Sequence, residues 1–430
     1  MERRLYALLI DPDEDYTTSD LDPEVEREVP GNALRQVAAM ALQKIGDLLV
    51  DAKTVLAWLV TSLGGSSLII GLLVPIREAG SMLPQAALAP FVRRRAVRKW
   101  LWVGGALAQA FAVAAMAVAA VALPGPTASW VILLALTAFA LARSLSSLSS
   151  KDVLGRTVPK GGRGRVSGAA TTISGVIAIT VGVAIRLTGS SDTAVSTLAM
   201  LLGTASLAWV AAAGVYASVA ERPGEISDGD QPGGTGMRLL RDDAIFRRFV
   251  IARALLLVSA LSPPFVVALA GESGDRGLAG LGPFVIGSGL AALLGGRVWG
   301  GFADRSSRRT MILACALSSA VVGVFLALRR IDALRASDLL YPLTYFALAL
   351  VHTGSRLGRK TYVIDMAEGD DRTDRVAVSN AAMGVLLLGA GAVSASVATL
   401  GADAALLLLA TLGVVGIGVS RALPEVTTAD

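Results

Sequence analysis

Gly300-Gly301-Phe302-Ala303-Asp304-Arg305-Ser306-Ser307-Arg308-Arg309 is a short charged interruption between two long apolar runs, residues 278–302 and 309–328. Each run has about the 20 residues that a helix needs to cross the hydrocarbon core of a bilayer. Two such runs joined so closely must be antiparallel, with their junction at one membrane face. Three arginines crowd that junction, and Lys and Arg collect on the cytoplasmic side of membrane proteins. Gly300 and Gly301 would let a neighbouring helix approach. Asp304, near a helix terminus, can pair with Arg305, Arg308, Arg309 or another helix end. Such a cluster can latch one conformation and open in another. The plainer reading is a basic turn that only fixes topology.

The same pattern extends outward through the chain. Of its 430 residues, 53% are hydrophobic and 17% charged, against about 45–50% and about 25% in soluble domains. Twelve of the 34 Asp and Glu fall in the first 51 residues. Beyond them the chain is too apolar for a soluble enzyme. Twelve spans are predicted, at residues 54–76, 77–93, 100–123, 127–149, 166–188, 194–219, 247–270, 278–302, 309–328, 337–358, 375–400 and 403–422. With the N-terminus placed in the cytoplasm, the connections on that side carry 23 Lys and Arg, and the opposite connections carry 6. The net charge of +5 is therefore a topology signal, and nucleic acid is not an expected partner. Cys315 and His352 are the single cysteine and histidine. They exclude an intramolecular disulfide and the common multi-His metal sites, and no cofactor is expected. Neither a Ser-His-Asp set nor a paired-carboxylate site is present, so an enzyme is not expected. The short apolar run Leu5–Ile10, followed by Asp11, Asp13, Glu14 and Asp15, does not read as a signal peptide.

Residues 1–51 read as a cytoplasmic segment. Met1–Glu28 is acidic and punctuated by proline. From Asn32, a plausible N-cap, Leu34, Val37, Ala38, Ala41, Ile45, Leu48 and Leu49 recur at helical spacing. The expectation is an amphipathic helix lying on the cytoplasmic interface, with a protein partner of unknown kind; a plain extension of the first span is the alternative. Residues 52–220 and 246–430 read as two six-helix bundles joined by a linker at 221–245, rich in Gly, Asp and Pro.

The two bundles are internally related. Ser146–Lys151 (SSLSSK) and Ser355–Lys360 (SRLGRK) are offset by 209, and Arg163 falls on Arg372 at the same offset. Arg98-Lys99 falls on Arg308-Arg309 at 210. Parallel six-helix repeats are a known transporter plan.

The stretch from Gly300 to Arg309 resembles the G-x-x-x-D-R-x-x-R-R signature of the major facilitator superfamily, at that family's junction of helices 8 and 9. The copy between helices 2 and 3 is degraded, with Arg94 where Asp is expected. Val158–Gly168 resembles the family's loop after helix 4. The resemblance covers about residues 50–422. It implies an all-α membrane protein of 12 transmembrane helices in two parallel six-helix repeats, preceded here by the N-terminal amphipathic helix. It implies a secondary transporter working by alternating access, with helices 1, 4, 7 and 10 lining the cavity. It also implies residence in a bacterial cytoplasmic (inner) membrane with both termini cytoplasmic.

Ionisable groups inside spans are costly and point to function. Here they are Glu78, Arg143, Arg186, Arg253, Arg297 and His352. Arg143 and His352 are equivalent under the repeat, and with Arg253 they sit at similar depth. Together with Tyr345 and Ser262 they are the candidate solute-binding residues. Three basic groups on one cavity favour an anion, whereas a structural role would have them hold helix ends or reach headgroups. Glu78 and His352 are the candidate proton-coupling residues; Glu78 beside Arg77 also reads as part of an outer gate. Pro263-Pro264 should kink helix 7, and Trp58 reads as part of the interfacial aromatic belt. The function expected is transport of a small polar or anionic solute, with proton coupling as an option. The alternatives are a multidrug or metabolite exporter and a non-transporting membrane sensor or assembly factor. The scarcity of carboxylates in the spans argues against export of cations.

Overall fold

The computed structural model describes residue 6 and residues 26–159, 162–188, 195–223, 235–272, 278–366 and 369–426. Every regular element among them is helical, as a chain in lipid requires, because a helix satisfies its backbone polar groups within one segment. The N-terminal half contains α1 (Val29–Leu49), α2 (Val55–Ser62), α3 (Ser67–Met82), α4 (Pro84–Arg93), α5 (Lys99–Ala122), α6 (Gly125–Thr157), α7 (Gly162–Thr188) and α8 (Val195–Ala217). The short α9 (Thr235–Asp242) follows the linker. The C-terminal half contains α10 (Ala244–Leu255), α11 (Val258–Glu272), α12 (Gly282–Arg305), α13 (Ser307–Leu328), α14 (Asp332–Arg335), α15 (Leu340–Asp365), α16 (Gly369–Ala398) and α17 (Ala402–Arg421).

Joined across their breaks, α1–α2, α3–α4 and α10–α11 bring the long helical rods among the described residues to twelve, six on each side of α9. Among the described residues, nine helices are long and apolar enough to cross a membrane, or ten if α3–α4, bent by 42°, counts as one span. The first rod, broken and carrying Asp47, Asp51 and Lys53, and α15, which carries His352, Arg356 and Arg359, fall outside that count.

The first two rods differ from the predicted spans 54–76 and 77–93. The first runs from Val29 to Ser62 and the second from Ser67 to Arg93, with the turn at Leu63–Ser66 between them. Gly64 makes that turn with φ +70°, a conformation open to glycine without steric cost. The helix predicted from Asn32 exists, but it stands inside the bundle instead of lying on its surface. It packs against α7 and α8. Its polar residues are consumed by internal hydrogen bonds. Buried Asn32 gives its Nδ2 to the Ala220 carbonyl (3.0 Å) and accepts from Ala220 N (2.8 Å). Buried Gln36 donates to Thr157 Oγ1 (2.7 Å). Asn32 is therefore an anchor within the helix; Glu28 occupies the N-cap position. Most of Met1–Glu28 lies outside the described residues.

The first rod is broken at Val50–Thr54. Asp51 Oδ1 accepts from Lys53 N (2.8 Å), Thr54 N (3.0 Å) and Thr54 Oγ1 (3.1 Å). A carboxylate that accepts these backbone N–H groups supplies what a new helix start lacks. The seventh rod is broken at Leu256-Leu257, whereas α11 runs through Pro263-Pro264, where the kink was expected.

The apolar core is not uniform along the rods. One cluster of buried side chains runs through the N-terminal half and continues into the C-terminal half at Phe265, Phe284, Phe325, Tyr341 and Leu406. Those residues lie at the end of the molecule away from the basic connections. At the basic end the C-terminal half has a separate cluster around Phe246, Phe249, Trp299, Met311 and Tyr362. Glycine approaches between the halves follow the same distribution. A Cβ placed at Gly71 would meet Ala395, at Gly391 Pro75, at Gly384 Leu83, at Gly182 Ile286, and at Gly271 Thr61. Among the described residues, these close approaches between the halves thus concentrate from mid-length to the end opposite the basic connections.

Candidate functional site

The correction to the first two rods moves the charges. Asp47 lies mid-way along the first rod. Arg77 and Glu78 lie ten and eleven residues below the start of α3, roughly 15 Å along a helix. All three then stand at mid-membrane, on the same level as Arg143 of α6. Arg77 and Glu78 are not at the outer mouth.

Asp47 holds two arginines, one on each oxygen. Arg77 Nη2 donates to Oδ1 at 2.6 Å and Arg143 Nη2 to Oδ2 at 2.8 Å. Each guanidinium also lies over an aromatic ring, Arg77 over Phe139 (4.7 Å) and Arg143 over Trp209 (5.5 Å). Cation–π contacts stabilise by about 0.5–2 kcal/mol and more as water is excluded. The triad ties the first, second and fourth rods together. One carboxylate cannot neutralise two guanidinium groups, and Arg143 Nη1 is buried without a hydrogen-bond partner among the described residues.

Lys53 lies in the break of the first rod. It keeps some accessible surface. It lies within electrostatic reach of Asp51, Glu78, Arg356 and Arg359. Asp51 is committed to capping α2, and Lys53 Nζ has no hydrogen-bonding or ion-pair partner among the described residues. Glu78 is half-buried and likewise has no ion pair among them. It faces Lys53, Arg143 and Arg359 electrostatically. Arg356 is exposed and stands near Lys44, Lys53, His352 and Arg359.

The predicted binding residues divide. Arg143 and His352 reach the centre. His352 Nδ1 is 3.2 Å from Ser259 Oγ, which is 3.3 Å from Ser355 Oγ. Arg253 is buried and bound within its own half, its Nη1 to Ser379 Oγ (2.8 Å) and Nη2 to Asn380 Oδ1 (2.9 Å). It ties α10 to α16 through side chains, not through helix-end carbonyls or headgroups. Tyr345 is buried edge-on against Phe284 (5.6 Å), whose ring is 6.1 Å from that of Trp58. Trp58 is therefore in the core, not in an interfacial belt. Ser262 is buried, with its hydroxyl unpartnered among the described residues. Arg186 and Arg297 are exposed.

At the basic end, Ser306 caps α13 by accepting from Arg309 N (3.1 Å) and donates to Glu425 (2.7 Å). Arg308 pairs with the same carboxylate at 3.3 Å. The side chain of Asp304 is not among those described, and Arg305 and Arg309 are exposed. Nothing lies within 4 Å of a Cβ at Gly300 or Gly301, so these glycines do not make the expected helix contact. That role belongs to Gly295, which abuts Thr353, and Gly354, which abuts Trp299. The degraded first copy has a counterpart network. Glu221 accepts from Arg98 N and Lys99 N at the start of α5 (2.9 and 2.6 Å), while the Arg98 side chain pairs with Asp152 (2.9 Å).

Sequence reasoning missed Asp47, Asp51, Lys53, Arg356 and Arg359. The repeat carried a usable signal. Lys44 donates to Thr171 Oγ1 (2.8 Å), and Arg253 is bonded to Asn380. Lys44 and Arg253 are 209 apart, as are Thr171 and Asn380. The same cation-to-hydroxyl-or-amide tie occurs in both halves, which places Lys44 inside the first rod.

No protein-family model matches the chain, and no curated protein matches it by sequence. Solved structures match it closely in shape. A single-residue mutant of the nucleoside transporter NupG superposes with a TM-score of 0.69 at 12% identity, over 91% of this chain and 98% of that one. A D-xylose-proton symporter gives 0.69 at 11% identity, over 92% and 98%. A peptide transporter POT in complex with sulfate gives 0.68 at 11% identity, over 98% and 99%. The chain shares the fold of these transporters, and its helices include several long and apolar enough to cross a membrane.

Proposed function

We propose that the protein is a secondary transporter that carries a small anionic solute between its two halves by alternating access. The basic end is then the cytoplasmic one, because the Lys and Arg of the connections gather there. One observation carries the reading: at mid-membrane, cations outnumber carboxylates. Lys44, Lys53, Arg77, Arg143, Arg253, Arg356 and Arg359 are connected electrostatically with Asp47, Asp51 and Glu78. Asp47 and Asp51 are already engaged. The unpaired Lys53, Arg356 and Arg143 Nη1 are left for a solute carboxylate or phosphate, which charge-assisted hydrogen bonds would hold. Proteins of this fold include transporters of nucleosides, D-xylose and peptides, which supports transport but not the choice of an anion.

Thermal stabilisation of the purified protein tests it. Phosphate monoesters and dicarboxylates should raise the melting temperature, and lipophilic cations should not. Lys53→Gln and Arg356→Gln should each weaken the response of the best anion about tenfold or more, since a hydrogen bond to a charged group contributes about 1.5–3 kcal/mol. Stabilisation by lipophilic cations alone would contradict the anion reading.

Glu78 supports a second element, proton coupling. It is the one carboxylate in this group with neither an ion pair nor a capping role among the described residues. In proteoliposomes, Glu78→Gln should abolish the response of uptake to a pH gradient while leaving exchange in place. An undiminished pH response would remove Glu78 from the mechanism and leave His352 to be tested by His352→Ala.

A further inference from the structure

Away from the central site, a cavity of about 620 Å³ opens at the end opposite the basic connections, between α13 and α17. Arg329, Arg330 and Arg335 line it together with Asp403, and Leu326 and Leu407 form its apolar wall. With Arg77 relocated to mid-membrane, the connections at that end keep five arginines, Arg186, Arg276, Arg329, Arg330 and Arg335. Three of the five stand in this one connection, against the charge asymmetry of the rest of the chain. Asp403 engages one, Arg329. Arg330 and Arg335 are exposed and have no ion pair among the described residues. Apolar side chains surround them where a soluble surface would be polar: Ile331 is 52% exposed, Leu339 66% and Leu407 60%.

We propose that this cavity binds the headgroup of an anionic phospholipid in the leaflet opposite the basic end. Arg330 and Arg335 hold the phosphate, and the acyl chains run along Leu326 and Leu407 between α13 and α17. A planar guanidinium presents paired donors that match phosphate oxygens. The volume is that of a small-ligand site, and the apolar wall beside the arginines suits acyl chains. Arg329 takes no ligand; its pair with Asp403 keeps α13 and α17 together and sets the cavity wall.

The test uses purified full-length protein in detergent micelles doped with phosphatidylglycerol, with phosphatidylcholine, or with inorganic phosphate alone. Retained lipid is read by native mass spectrometry and stability by thermal melting. Phosphatidylglycerol should be retained and should raise the melting temperature by several degrees; phosphatidylcholine and inorganic phosphate should do neither. The double substitution Arg330→Gln with Arg335→Gln should reduce retained phosphatidylglycerol at least tenfold. Should the double variant not fold, Arg330→Gln alone, a change at an exposed side chain, should reduce it severalfold. Equal retention by wild type and variant overturns the proposal. So does equal retention of phosphatidylcholine. A shift produced by inorganic phosphate alone would show a free-anion site in place of a lipid site.

Discussion

Asp47 accepts Arg77 on one oxygen and Arg143 on the other, so its removal strands two guanidinium groups in the middle of the molecule. Breaking a buried ion pair by deleting one partner costs about 3–5 kcal/mol, because the remaining charge stays uncompensated. Asp47→Asn should accordingly lower the melting temperature strongly, and adding Arg143→Gln should recover part of the loss. Absence of recovery in the double variant would mean the two residues are not coupled. Gly46 precedes this aspartate because a Cβ there would fall 2.5 Å from Trp209 Nε1. Gly46→Ala should cost about 1–3 kcal/mol by overpacking, measured by the same melt. Arg143 and His352 were legible in the sequence because a charge stands out in an apolar run. Asp47 was not, because it shares a segment with Arg35, Lys44 and other polar residues that together resemble the wet face of a surface helix. The chain uses those residues for internal ties, which composition cannot distinguish from exposure. The repeat also explains the site's asymmetry. Arg356 and Arg359 fall on Ser147 and Ser150 at the 209 offset, so the C-terminal half supplies charge where the N-terminal half has hydroxyls.

At the scale of elements, the breaks in the first and seventh rods invite comparison. Applied to the predicted seventh span at 247–270, the 209 offset puts the first at 38–61 and not 54–76. Applied to 278–302 it gives 69–93, close to the observed second rod at 67–93. The correct partition was present in the sequence. Asp51 and Lys53 interrupt the apolar run there, so hydropathy alone starts the first span after them. Asp51→Ala removes the acceptor for Lys53 N, Thr54 N and Thr54 Oγ1. It should cost about 1–2 kcal/mol, and Asp51→Asn less. At the start of α10, Asp243 accepts from Phe246 N (2.8 Å) and pairs with Arg375. Partial burial opposes its ionisation, but those hydrogen bonds outweigh burial and hold its pKa below the ordinary aspartate value. A carboxyl lowered in this way contributes stability above its unfolded pKa of about 3.9, and the contribution disappears as pH falls further through the folded value. Asp243→Asn should therefore flatten the dependence of stability on pH below about 4. An unchanged acid limb would show that another carboxylate sets it.

Across the whole molecule, the close approaches between the halves gather where apolar contact is continuous. The twelve-rod plan and its two halves were readable from the spacing of apolar runs and from the repeat, since both are periodic. Where the halves touch was not readable, because it depends on contacts between segments more than 200 residues apart, such as Pro75 with Gly391. The basic-end carboxylates add a matched pair of clips. Glu221 and Glu425 each lie just beyond the last rod of their half and engage the start of its third rod. These clips act within a half, so they stiffen each half.

The central claim is that the halves must move relative to one another where they now touch for solute to pass. A Cβ at Gly175 would lie 2.9 Å from Leu293 Cγ, close to the roughly 3 Å from a Cβ to the far sulfur in a disulfide of ordinary geometry. Gly175→Cys and Leu293→Cys, in a Cys315→Ser background, would therefore join α7 to α12 across the halves on oxidation. The measurement is flux in proteoliposomes of the anion that best stabilises the protein, before oxidation, after it, and after reduction. The account predicts that oxidation abolishes flux, that reduction restores it, and that the oxidised protein still binds the anion. Undiminished flux through the fully crosslinked protein would contradict it.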